Sequence, residues 1–424
     1  MKFFPEVRTQ LAIGAARLAT FASQKTGRGS GGMIGGLIAE KIDPAIMSSL
    51  GKNRPVAIVT GTNGKSTTTR MLAAALRSTH TVATNEGGDN MDAGIISALM
   101  ANQSASHVVL EVDELHVPQV VERLRPSCLV LLNLSRDQLD RVGEINKIER
   151  TLRECVAKHP EMTVIANADD VLVSSVAYAA KNVVWVSAGA GWLNDATSCP
   201  RTGSSIIHEG NTWRAAKPLA DGSIFQRPQP SWTISPMGIA GPDSQIVPLK
   251  LQLPGNANRG NATQAVAAAV SCFSISLADA INAVESVTNV AGRYSTLQLG
   301  ERDVHLLLAK NPAGWQEALS MVDRTADGLV IAVNGQVADG EDLSWLWDVE
   351  FEDLSSLKVK STGERGTDLA VRLTYASVQH EHIPDPLTAI KACPIGRIEV
   401  VANYTAFRDL KKALLRAGAT QKEA

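Results

Sequence analysis

The sequence predicts an α/β protein with a mostly parallel, doubly wound sheet in a central domain and a smaller, Rossmann-like α/β domain at the C-terminus. Three observations predict this fold class. Short apolar runs alternate with helical stretches from residue 55 onwards, a glycine turn separates the first run from the first helix, and the alternation resumes beyond residue 299. The expected boundaries are 1–53 for an N-terminal helix and Gly-rich segment, 54–298 for the central domain, and 299–424 for the C-terminal domain.

The N-terminal segment combines helical periodicity with a run of glycines. Apolar residues recur at helical spacing from Met1 to Ser23, with Arg8 and Arg17 between them, which predicts a helix that packs on the protein or lies near a membrane. Six of the ten residues from Gly27 to Gly36 are glycine. This stretch is predicted to be a linker, or a loop that closes on a ligand, because glycine makes regular structure costly.

The central and C-terminal domains are predicted from apolar runs that read as buried strands. In the central domain the runs are Pro55–Thr60, His107–Val112, Ser127–Asn133, Met162–Asn167 and Asn182–Ser187. Residues 189–254 are rich in Gly, Pro, Ser and Trp and predict an irregular or antiparallel insert, followed by a helix over 261–274. In the C-terminal domain the runs are 304–308, 328–333, 357–361 and 398–401.

Composition excludes several classes of protein. The chain has 41 Lys and Arg against 43 Asp and Glu, without the basic excess that a nucleic-acid binder carries. Its five cysteines are scattered, with neither metal-ligand spacing nor a disulfide framework, which indicates a reducing cytoplasm. No apolar run approaches the roughly 18 residues that a membrane-spanning helix needs.

The strongest motif is the glycine turn Gly61-Thr62-Asn63-Gly64-Lys65-Ser66-Thr67. Backbone N–H groups of such a turn, at the start of a helix, form a cradle for phosphate. Lys65 offers a positive charge to the β- and γ-phosphates, and a hydroxyl of Ser66 or Thr67 can bind Mg²⁺. Because a predicted strand precedes the turn and a predicted helix follows it, the motif indicates an ATP site.

Polar clusters follow three other predicted strands. They contain Glu111, Asp113 and Glu114 in the first, residues 133–141 in the second, and Asn167, Asp169 and Asp170 in the third. In an open parallel sheet the carboxyl ends of the strands face the ligand crevice, so we expect these clusters to outline one crevice. A carboxylate such as Glu111 can hold Mg²⁺ there.

The order of these motifs resembles the Mur ligase superfamily, whose members join amines to carboxylates through acyl-phosphates. The resemblance implies a Mur-ligase-like P-loop domain in which Glu111 is the magnesium glutamate. It also implies nucleotide-binding roles for further residues at matching positions, namely Asn167, Asp169, Asn258, Asn261 and Arg293. Of these, Asn258 and Asn261 lie in a turn that contacts adenine in the family, and Arg293 matches a nucleotide-contacting arginine at the domain boundary.

The chain departs from the superfamily pattern at two positions, and both departures point away from the members that add amino acids. Gln138 replaces the usual metal-binding histidine, and the carbamylated lysine has no counterpart, since Lys147 is at the wrong spacing. The chain is similar to the MurT branch, the synthetase subunits of lipid II isoglutaminyl synthases, also through motifs in its C-terminal domain. These motifs are Lys310–Gly314, Asp339–Asp348 and Asn403–Ala406.

The resemblance implies ATP- and Mg²⁺-dependent amidation of the α-carboxylate of D-glutamate in the lipid II stem peptide, at the inner face of the cytoplasmic membrane. Ammonia would come from a GatD-type glutamine amidotransferase subunit, because Cys128 and Cys272 lie in apolar stretches and provide no evident glutaminase nucleophile. The resemblance also implies that the synthetase contributes an acidic residue to the active site of that partner. We expect this residue to be Asp348, with Asp339 and Asp342 as the next candidates.

Relatives in this branch often carry a four-cysteine zinc ribbon in the insert, and this chain is expected to lack it. Cys199 is retained, but Thr202 and Ala215 stand where further ligands are expected, and a structural zinc needs about four. Two alternative functions remain open from the sequence. One is an amino-acid ligase of the Mur or folylpolyglutamate type, and the other is a non-catalytic ATP-binding scaffold.

Overall fold

The computed structural model describes residues 5–25, 32–85, 88–136, 144–189, 196–288, 294–340 and 342–421. They fall into two compact units. The first unit comprises residues 1–134, 145–252 and 257–287, and the second comprises residues 135–144, 253–256 and 288–424. Each unit is built around its own sheet, so each is described separately.

The first unit contains a nine-stranded sheet and a separate hairpin. Its strands are, in chain order, β1 (Val56–Thr60), β2 (Val82–Thr84), β3 (His107–Glu111), β4 (Cys128–Leu131), β5 (Thr163–Asn167), β6 (Val183–Ser187), β7 (Ile206–Glu209), β8 (Thr212–Ala215), β9 (Trp232–Ser235), β10 (Gly238–Ala240) and β11 (Ile246–Val247). The sheet order is β11-β10-β9-β6-β5-β4-β1-β3-β2, and β7 pairs with β8. Strands β1 to β6 pair in parallel, so their carboxyl ends lie at one edge.

Helices lie between successive parallel strands, before β1 and after β11. In chain order they are α1 (Pro5–Lys25), α2 (Gly32–Ile42), α3 (Ile46–Gly51), α4 (Lys65–Arg77), α5 (Asp92–Ala101), α6 (Val117–Leu124), α7 (Glu144–Lys158), α8 (Val171–Ala177), α9 (Asn256–Phe273) and α10 (Leu277–Glu285). The central strands are fully buried, as β1 and β4 illustrate, because helices cover both faces of a doubly wound sheet.

One sequence expectation for this unit was wrong in part. The second half of the Gly27–Gly36 stretch is not a loop, because Gly32–Ile42 forms helix α2, while residues 26–31 lie outside the described part. Close helix packing explains the glycines, since a Cβ on Gly36 would lie 1.8 Å from the Ala93 carbonyl oxygen of α5. The insert contains antiparallel strand pairs, as predicted. Its strands β9, β10 and β11 extend the main sheet, with β9 parallel to β6 and the others antiparallel.

The second unit is a smaller α/β structure with a seven-stranded sheet of order β16-β15-β14-β17-β13-β12-β18. Its strands are β12 (Tyr294–Leu299), β13 (Arg302–Leu308), β14 (Gly328–Ala332), β15 (Val359–Thr362), β16 (His380–His382), β17 (Gly396–Ala402) and β18 (Thr420–Gln421). Its helices are α11 (Pro312–Met321), α12 (Gly366–Tyr375), α13 (Pro386–Lys391) and α14 (Tyr404–Arg416). Strands β13 to β17 pair in parallel and β12 antiparallel to β13, which confirms the predicted mixed α/β class.

Candidate active site

The loop from Gly61 to Gly64 joins the buried strand β1 to helix α4. Gly64 occupies the N-cap of α4 with a φ of 86°, a conformation that residues with side chains rarely adopt. A Cβ at this position would also lie 2.6 Å from Asn261 Oδ1. The residue that caps α4 therefore has no side chain to accept hydrogen bonds from the first-turn N–H groups. Helix N-termini of this kind bind phosphate.

Lys65 is buried at the start of α4, with its ammonium group over its own loop. Its Nζ donates to Gly61 O at 2.6 Å and to Thr62 O at 3.3 Å, and it forms an ion pair with Glu114 Oε2 at 3.3 Å. Glu114 is also buried, so each of the two ions compensates the charge of the other. A phosphate that enters the loop would compete with Glu114 for this ammonium group. Glu114 was in the acidic cluster noted after β3, but the sequence did not reveal its role as partner of Lys65.

Asn133 holds the middle of the loop from the neighbouring strand end. Strand β4 pairs with β1 so that Leu131 lies opposite Thr60, which places Asn133 beside the loop. Its carbonyl accepts from Thr62 N at 3.0 Å, its Oδ1 accepts from Asn63 N at 2.9 Å, and its Nδ2 donates to Asn63 O at 3.0 Å. These three bonds fix the loop conformation before any ligand binds, which lowers the ordering cost of binding.

Glu111 ends β3, on the other side of β1, where it pairs in register with Val59. Its side chain is buried, and Asn90 Nδ2 donates to its Oε1 at 3.3 Å. The side chain of Asn85 binds both the N–H and the C=O of Glu111 at 2.8 Å, which fixes its backbone. A carboxylate buried with this long hydrogen bond fits a cation, because its charge needs further compensation.

The hydroxyls of Ser66 and Thr67 belong to the first turn of α4, which follows β1. Strands β1 and β3 are parallel neighbours, so these hydroxyls and Glu111 approach the same edge of the sheet. Carboxylate and hydroxyl oxygens are the hard ligands that Mg²⁺ takes, together with water and phosphate oxygens. The residues present therefore fit a magnesium ion, whose binding remains a prediction.

Three polar residues follow β5, and hydrogen bonds or an ion pair within the chain fix each of their side chains. They are Asn167, Asp169 and Asp170. Asn167 is buried and its Nδ2 donates to Gly189 O at 3.1 Å. Asp169 forms an ion pair with Arg227 at 2.7 Å, and Asp170 caps helix α8 by accepting from two backbone N–H groups at 2.9 Å. These bonds shape the sheet edge beside β4. The nucleotide contacts of Asn167 and Asp169 remain predictions.

One asparagine of α9, Asn261, lies against the phosphate loop, and the adenine contacts of Asn258 and Asn261 remain predictions. Asn261 is buried against Gly64, and Asn258 lies one turn earlier on the same face of the helix. Gln264 Nε2 donates to Leu131 O at 2.9 Å and ties this helix to β4. Arg293 and Gln138, which were also singled out in the sequence, lie outside the described residues.

In the second unit, the three candidate acids occupy different environments. Asp339 caps helix α14, since its Oδ1 accepts from Thr405 N at 2.9 Å and its Oδ2 binds the Thr405 hydroxyl. Asp342 is exposed and accepts from Ser344 N at 2.8 Å, within its own turn. Asp348 is half-buried and its Oδ2 lies 3.7 Å from Arg136 Nη2. The carboxylate of Asp348 combines partial burial with a long ion pair, and such a partly exposed pair is weak enough for a docking partner to displace.

Arg372 holds the turn that carries Asp348. This turn is a 3₁₀ helix, Ser344–Trp347, and the buried guanidinium donates to Leu346 O at 3.1 Å and to Val349 O at 2.7 Å. These carbonyls flank Asp348 on both sides, so Arg372 fixes the position of the acid. The sequence alone did not identify Arg372, because its partners are backbone groups more than twenty residues away.

An exposed aromatic pair lies beside Asp348. Trp347 is 55% exposed and meets Tyr375, itself 73% exposed, edge to face at 5.2 Å between ring centroids. By contrast, Trp345 is buried and stacks on Trp315 in the core of the unit. Exposed Trp and Tyr are enriched in protein–protein interfaces, so this surface has the composition of a docking site.

Two of the buried cysteines, Cys128 and Cys155, are poor nucleophiles because of their environment. Burial raises the pKa of Cys155 to about 11. A hydrogen bond with Cys272 and burial raise the pKa of Cys128 well above its usual range, and that same bond lowers the pKa of Cys272. Cys272 contacts the thiol of Cys128 and the hydroxyl of Thr163, and neither group is a general base that could activate it.

Comparison with known proteins gives matches along most of the chain. Two family models match, the Mur ligase middle domain over residues 59–269 and the MurT ligase C-terminal domain over residues 308–407. The lipid II isoglutaminyl synthase (glutamine-hydrolyzing) subunit MurT of Streptococcus pneumoniae is 28% identical, and the alignment covers 98% of this chain and 99% of that protein.

Solved structures share the fold at lower identity. A pseudomurein peptide ligase type C from Methanothermus fervidus superposes with a TM-score of 0.65 at 18% identity, covering 86% of this chain and 78% of that chain. MurF from Acinetobacter baumannii superposes with a TM-score of 0.64 at 17% identity, covering 89% and 80%. These likenesses confirm the Mur-ligase-like α/β fold.

A phosphate loop at the edge of a parallel sheet is a nucleotide site, and the two family models place the chain in the Mur ligase superfamily of ATP-dependent ligases. The C-terminal match and the near-full-length similarity place it, within that superfamily, in the MurT group. Among the described residues, the helices are all too short or too polar to cross a membrane.

Proposed function

We propose that this chain is the synthetase subunit of a two-subunit enzyme that amidates the α-carboxylate of D-glutamate in the lipid II stem peptide, giving D-isoglutamine. The observation that carries the proposal is the preformed loop from Gly61 to Lys65, together with the MurT-type second unit that carries Asp348. The similar protein from Streptococcus pneumoniae is named as a subunit of such a synthase.

The chemistry begins with activation of the carboxylate. The γ-phosphoryl group of ATP passes to a carboxylate oxygen and ADP leaves, so that an acyl-phosphate replaces an anion that repels nucleophiles. Ammonia then attacks the carbonyl carbon, the C–O bond to phosphate breaks, and the amide and inorganic phosphate are released. Lys65 and the first-turn N–H groups of α4 stabilise the negative charge on the transferred phosphoryl group.

Magnesium belongs to the proposal through Glu111, Ser66 and Thr67. When bound, the ion would neutralise charge on the phosphate oxygens. The buried carboxylate of Glu111 is oriented by Asn85 and Asn90, which hold its backbone and its Oε1. Glu111→Gln is therefore expected to weaken Mg²⁺ binding, so that half-maximal turnover needs a higher Mg²⁺ concentration. The fold is expected to stay intact.

Ammonia must reach the acyl-phosphate unprotonated, and we propose that a GatD-type glutamine amidotransferase subunit supplies it. The environments of Cys128 and Cys155 support this division, because their raised pKa values keep these thiols protonated. The pKa of Cys272 is lowered by the thiol of Cys128 and the hydroxyl of Thr163, neither of which is a general base. The exposed pair Trp347 and Tyr375 offers a surface for such a partner, at the inner face of the membrane where lipid II resides.

Asp348 is the residue proposed to act in the partner's site. A glutaminase with a Cys–His pair needs an acid that orients the histidine. Asp348 fits this role because Arg372 fixes its turn, its carboxylate is partly exposed, and Trp347 lies next to it. Asp339 fits less well, since both of its oxygens bind Thr405.

The function is tested with purified chain, ATP, Mg²⁺ and a lipid II substrate, with the product measured by mass spectrometry. The chain alone is expected to be inactive with glutamine and active with high ammonium at alkaline pH, where more of the ammonia is neutral. Addition of the glutaminase subunit is expected to restore the use of glutamine. Amidation absent under every condition, or addition of an amino acid in place of ammonia, would reject the proposal.

A further inference from the structure

Helix α1 is apolar on two opposite faces. Its buried face, which includes Ala12, Ile13 and Ala16, packs into the first unit. The opposite face carries Val7, Leu11, Leu18 and Phe21, at spacings of three, four and seven residues, which align side chains along one side of a helix. These four side chains are between 46% and 73% exposed. Burial in the first unit therefore explains only one of the two apolar faces.

Helix α2 broadens this surface. Its Met33, Ile34 and Leu37 are 42%, 39% and 56% exposed, whereas Gly35 and Gly36 are buried. The outer apolar surface is thus two helices wide rather than a single stripe. We call it the outer face of the α1–α2 hairpin and define it by these three residues and the four of α1.

The two helices run antiparallel in close contact. A Cβ on Gly35, near the start of α2, would lie 2.5 Å from the Thr20 hydroxyl near the end of α1. At the other end of the pair, Thr9 Oγ1 donates to Asp43 Oδ2 at 2.6 Å, and Arg8 Nε donates to Ile42 O at 2.7 Å. These contacts hold the hairpin rigid, so its outer face is a built surface of fixed shape.

Cationic side chains accompany the outer face. Arg17, Lys25 and Lys41 are exposed on the same two helices. The acidic Glu40 is half-buried and is neutralised by Arg123, whose Nη1 lies 2.8 Å from its Oε1. An apolar surface with cationic neighbours is complementary to a bilayer that contains anionic lipid, where chains bury the apolar residues and head groups bind the cations.

We propose that the outer face of the α1–α2 hairpin docks this enzyme on the surface of an anionic lipid bilayer. A single heptad stripe on α1 could serve a coiled coil, but a face two helices wide with a cationic surround fits a planar, negatively charged surface better. Large exposed apolar patches are rare on monomers and mark interaction sites, so membrane docking would explain why this face is apolar.

The placement of the hairpin links it to the active site. Gly36 packs on the backbone of Ala93 in α5, and Asn90, just before that helix, donates to Glu111. The docking face therefore rests on the helix that begins beside the proposed magnesium site. This reasoning rests on the proposed function, because a lipid-linked substrate is what makes docking useful. The binding itself is nevertheless measurable without turnover.

The experiment is sedimentation of the full chain with vesicles of phosphatidylcholine, with and without phosphatidylglycerol. Wild type is expected to bind the anionic vesicles and to lose binding as salt rises. Leu18→Glu with Phe21→Glu is expected to weaken binding on the order of tenfold or more, because two apolar side chains no longer enter the bilayer. Arg17→Glu is expected to cost about fivefold or more at low salt.

Met237→Glu is the matched control. Met237 is 72% exposed, against 73% for Leu18, but it lies in the β9–β10 connection rather than on the hairpin. This variant is expected to bind vesicles as wild type does. Since both positions are exposed, neither change disturbs the core, and circular dichroism and melting temperature should be unchanged in all variants.

The outcomes separate the docking proposal from the proposed function. The complex with its glutaminase should amidate a water-soluble, short-chain analogue of lipid II equally well in wild type and in the Leu18→Glu/Phe21→Glu variant. Failure of wild type to bind vesicles, or equal binding by this variant, would overturn the docking proposal while leaving amidation intact. A loss of self-association or of glutaminase binding in this variant, without a change in vesicle binding, would assign the face to a protein contact and also overturn it.

Discussion

At the scale of single residues, the ammonium group of Lys65 lies between two carbonyls of its own loop and the buried carboxylate of Glu114. Lys65→Ala is expected to reduce amidation by a factor on the order of a hundred to a thousand, because a charge that stabilises the transferred phosphoryl group is lost. The same change is expected to destabilise the fold, since Glu114 then keeps a buried, uncompensated charge that costs roughly 3–5 kcal/mol.

A double variant separates the two effects. Lys65→Ala with Glu114→Gln is expected to recover most of the lost stability in denaturant unfolding but none of the lost amidation. Lys181→Ala, at an exposed position outside the loop, serves as the control and is expected to change neither quantity. If the double variant amidated at a normal rate, Lys65 would have no role in phosphoryl transfer.

The contrast between Asp348 and Asp339 tests which acid serves the glutaminase. Asp348→Asn is expected to slow the glutamine-driven reaction by about a hundredfold or more and to leave the ammonium-driven reaction nearly unchanged, because a triad acid orients a histidine and takes no part in phosphoryl transfer. The change keeps the shape of the side chain, so binding of the partner, measured by sedimentation, should persist.

Asp339→Ala is expected to behave differently, since Asp339 caps α14 through Thr405. Loss of a helix cap costs about 1 kcal/mol of stability. Both reactions should therefore keep their rates at low temperature, while the melting temperature falls. Equal damage to both reactions by Asp348→Asn would place that residue in the ligase site instead.

At the scale of elements, the packing of α2 against α5 depends on a single missing side chain. Gly36→Ala would place a Cβ 1.8 Å from the Ala93 carbonyl oxygen, so the two helices must separate, at a cost of roughly 1–3 kcal/mol. Gly14→Ala, on the exposed side of α1, meets no atom within 4 Å and is expected to stabilise the protein by about 0.5–1 kcal/mol through helix propensity. Urea unfolding of both variants measures the change in the free energy of unfolding, which is expected to fall for Gly36→Ala and to rise for Gly14→Ala. A stabilising Gly36→Ala would contradict the proposed packing.

This helix also marks a limit of sequence reasoning. Glycines from Gly27 to Gly36 predict irregular structure because isolated glycine weakens helices. The helix forms from Gly32 because tertiary contact with α1 and α5 outweighs that local cost. The buried strands were predictable within one or two residues, as Val56–Thr60 and Thr163–Asn167 illustrate, because short continuous apolar runs are typical of buried strands. The three-residue strand Val82–Thr84 was not predicted, because so short a run carries no periodicity.

At the scale of the whole molecule, the site residues that could be predicted are those in short motifs. The loop Gly61–Thr67 and Glu111 were predictable because strand ends bring them to one sheet edge in a parallel fold. Asn261, on helix α9, was indicated only by the family resemblance. Glu114 and Arg372 were not assigned roles, because their importance comes from partners fixed only by the folded chain. The second unit shows the same division, since the sequence named three acids and only their contacts distinguish Asp348 from Asp339.

Metal content is a whole-molecule property that the insert makes testable. The turn at Cys199 is closed by backbone hydrogen bonds, with Cys199 N donating to Ser204 O at 2.7 Å and Gly203 N donating to Cys199 O at 2.8 Å. In the same turn, the side-chain hydroxyls of Thr202 and Ser204 form a hydrogen bond at 2.8 Å. Thr202 and Ala215 stand where the resemblance implies further zinc ligands, and a neutral hydroxyl and a methyl group are poor ligands for zinc compared with thiolates.

We therefore expect the purified chain to contain no stoichiometric zinc by elemental analysis. A chelator that strips zinc should leave the melting temperature unchanged, because a structural zinc would contribute on the order of 10 kcal/mol and its removal would unfold the insert. The same chelator should stop amidation, and added Mg²⁺ should restore it. Cys199→Ser, a buried but conservative change, should cost only about 1–2 kcal/mol, as expected for a packing thiol. One tightly held zinc per chain, lost together with the fold of residues 196–250, would show that the insert keeps a metal site after all.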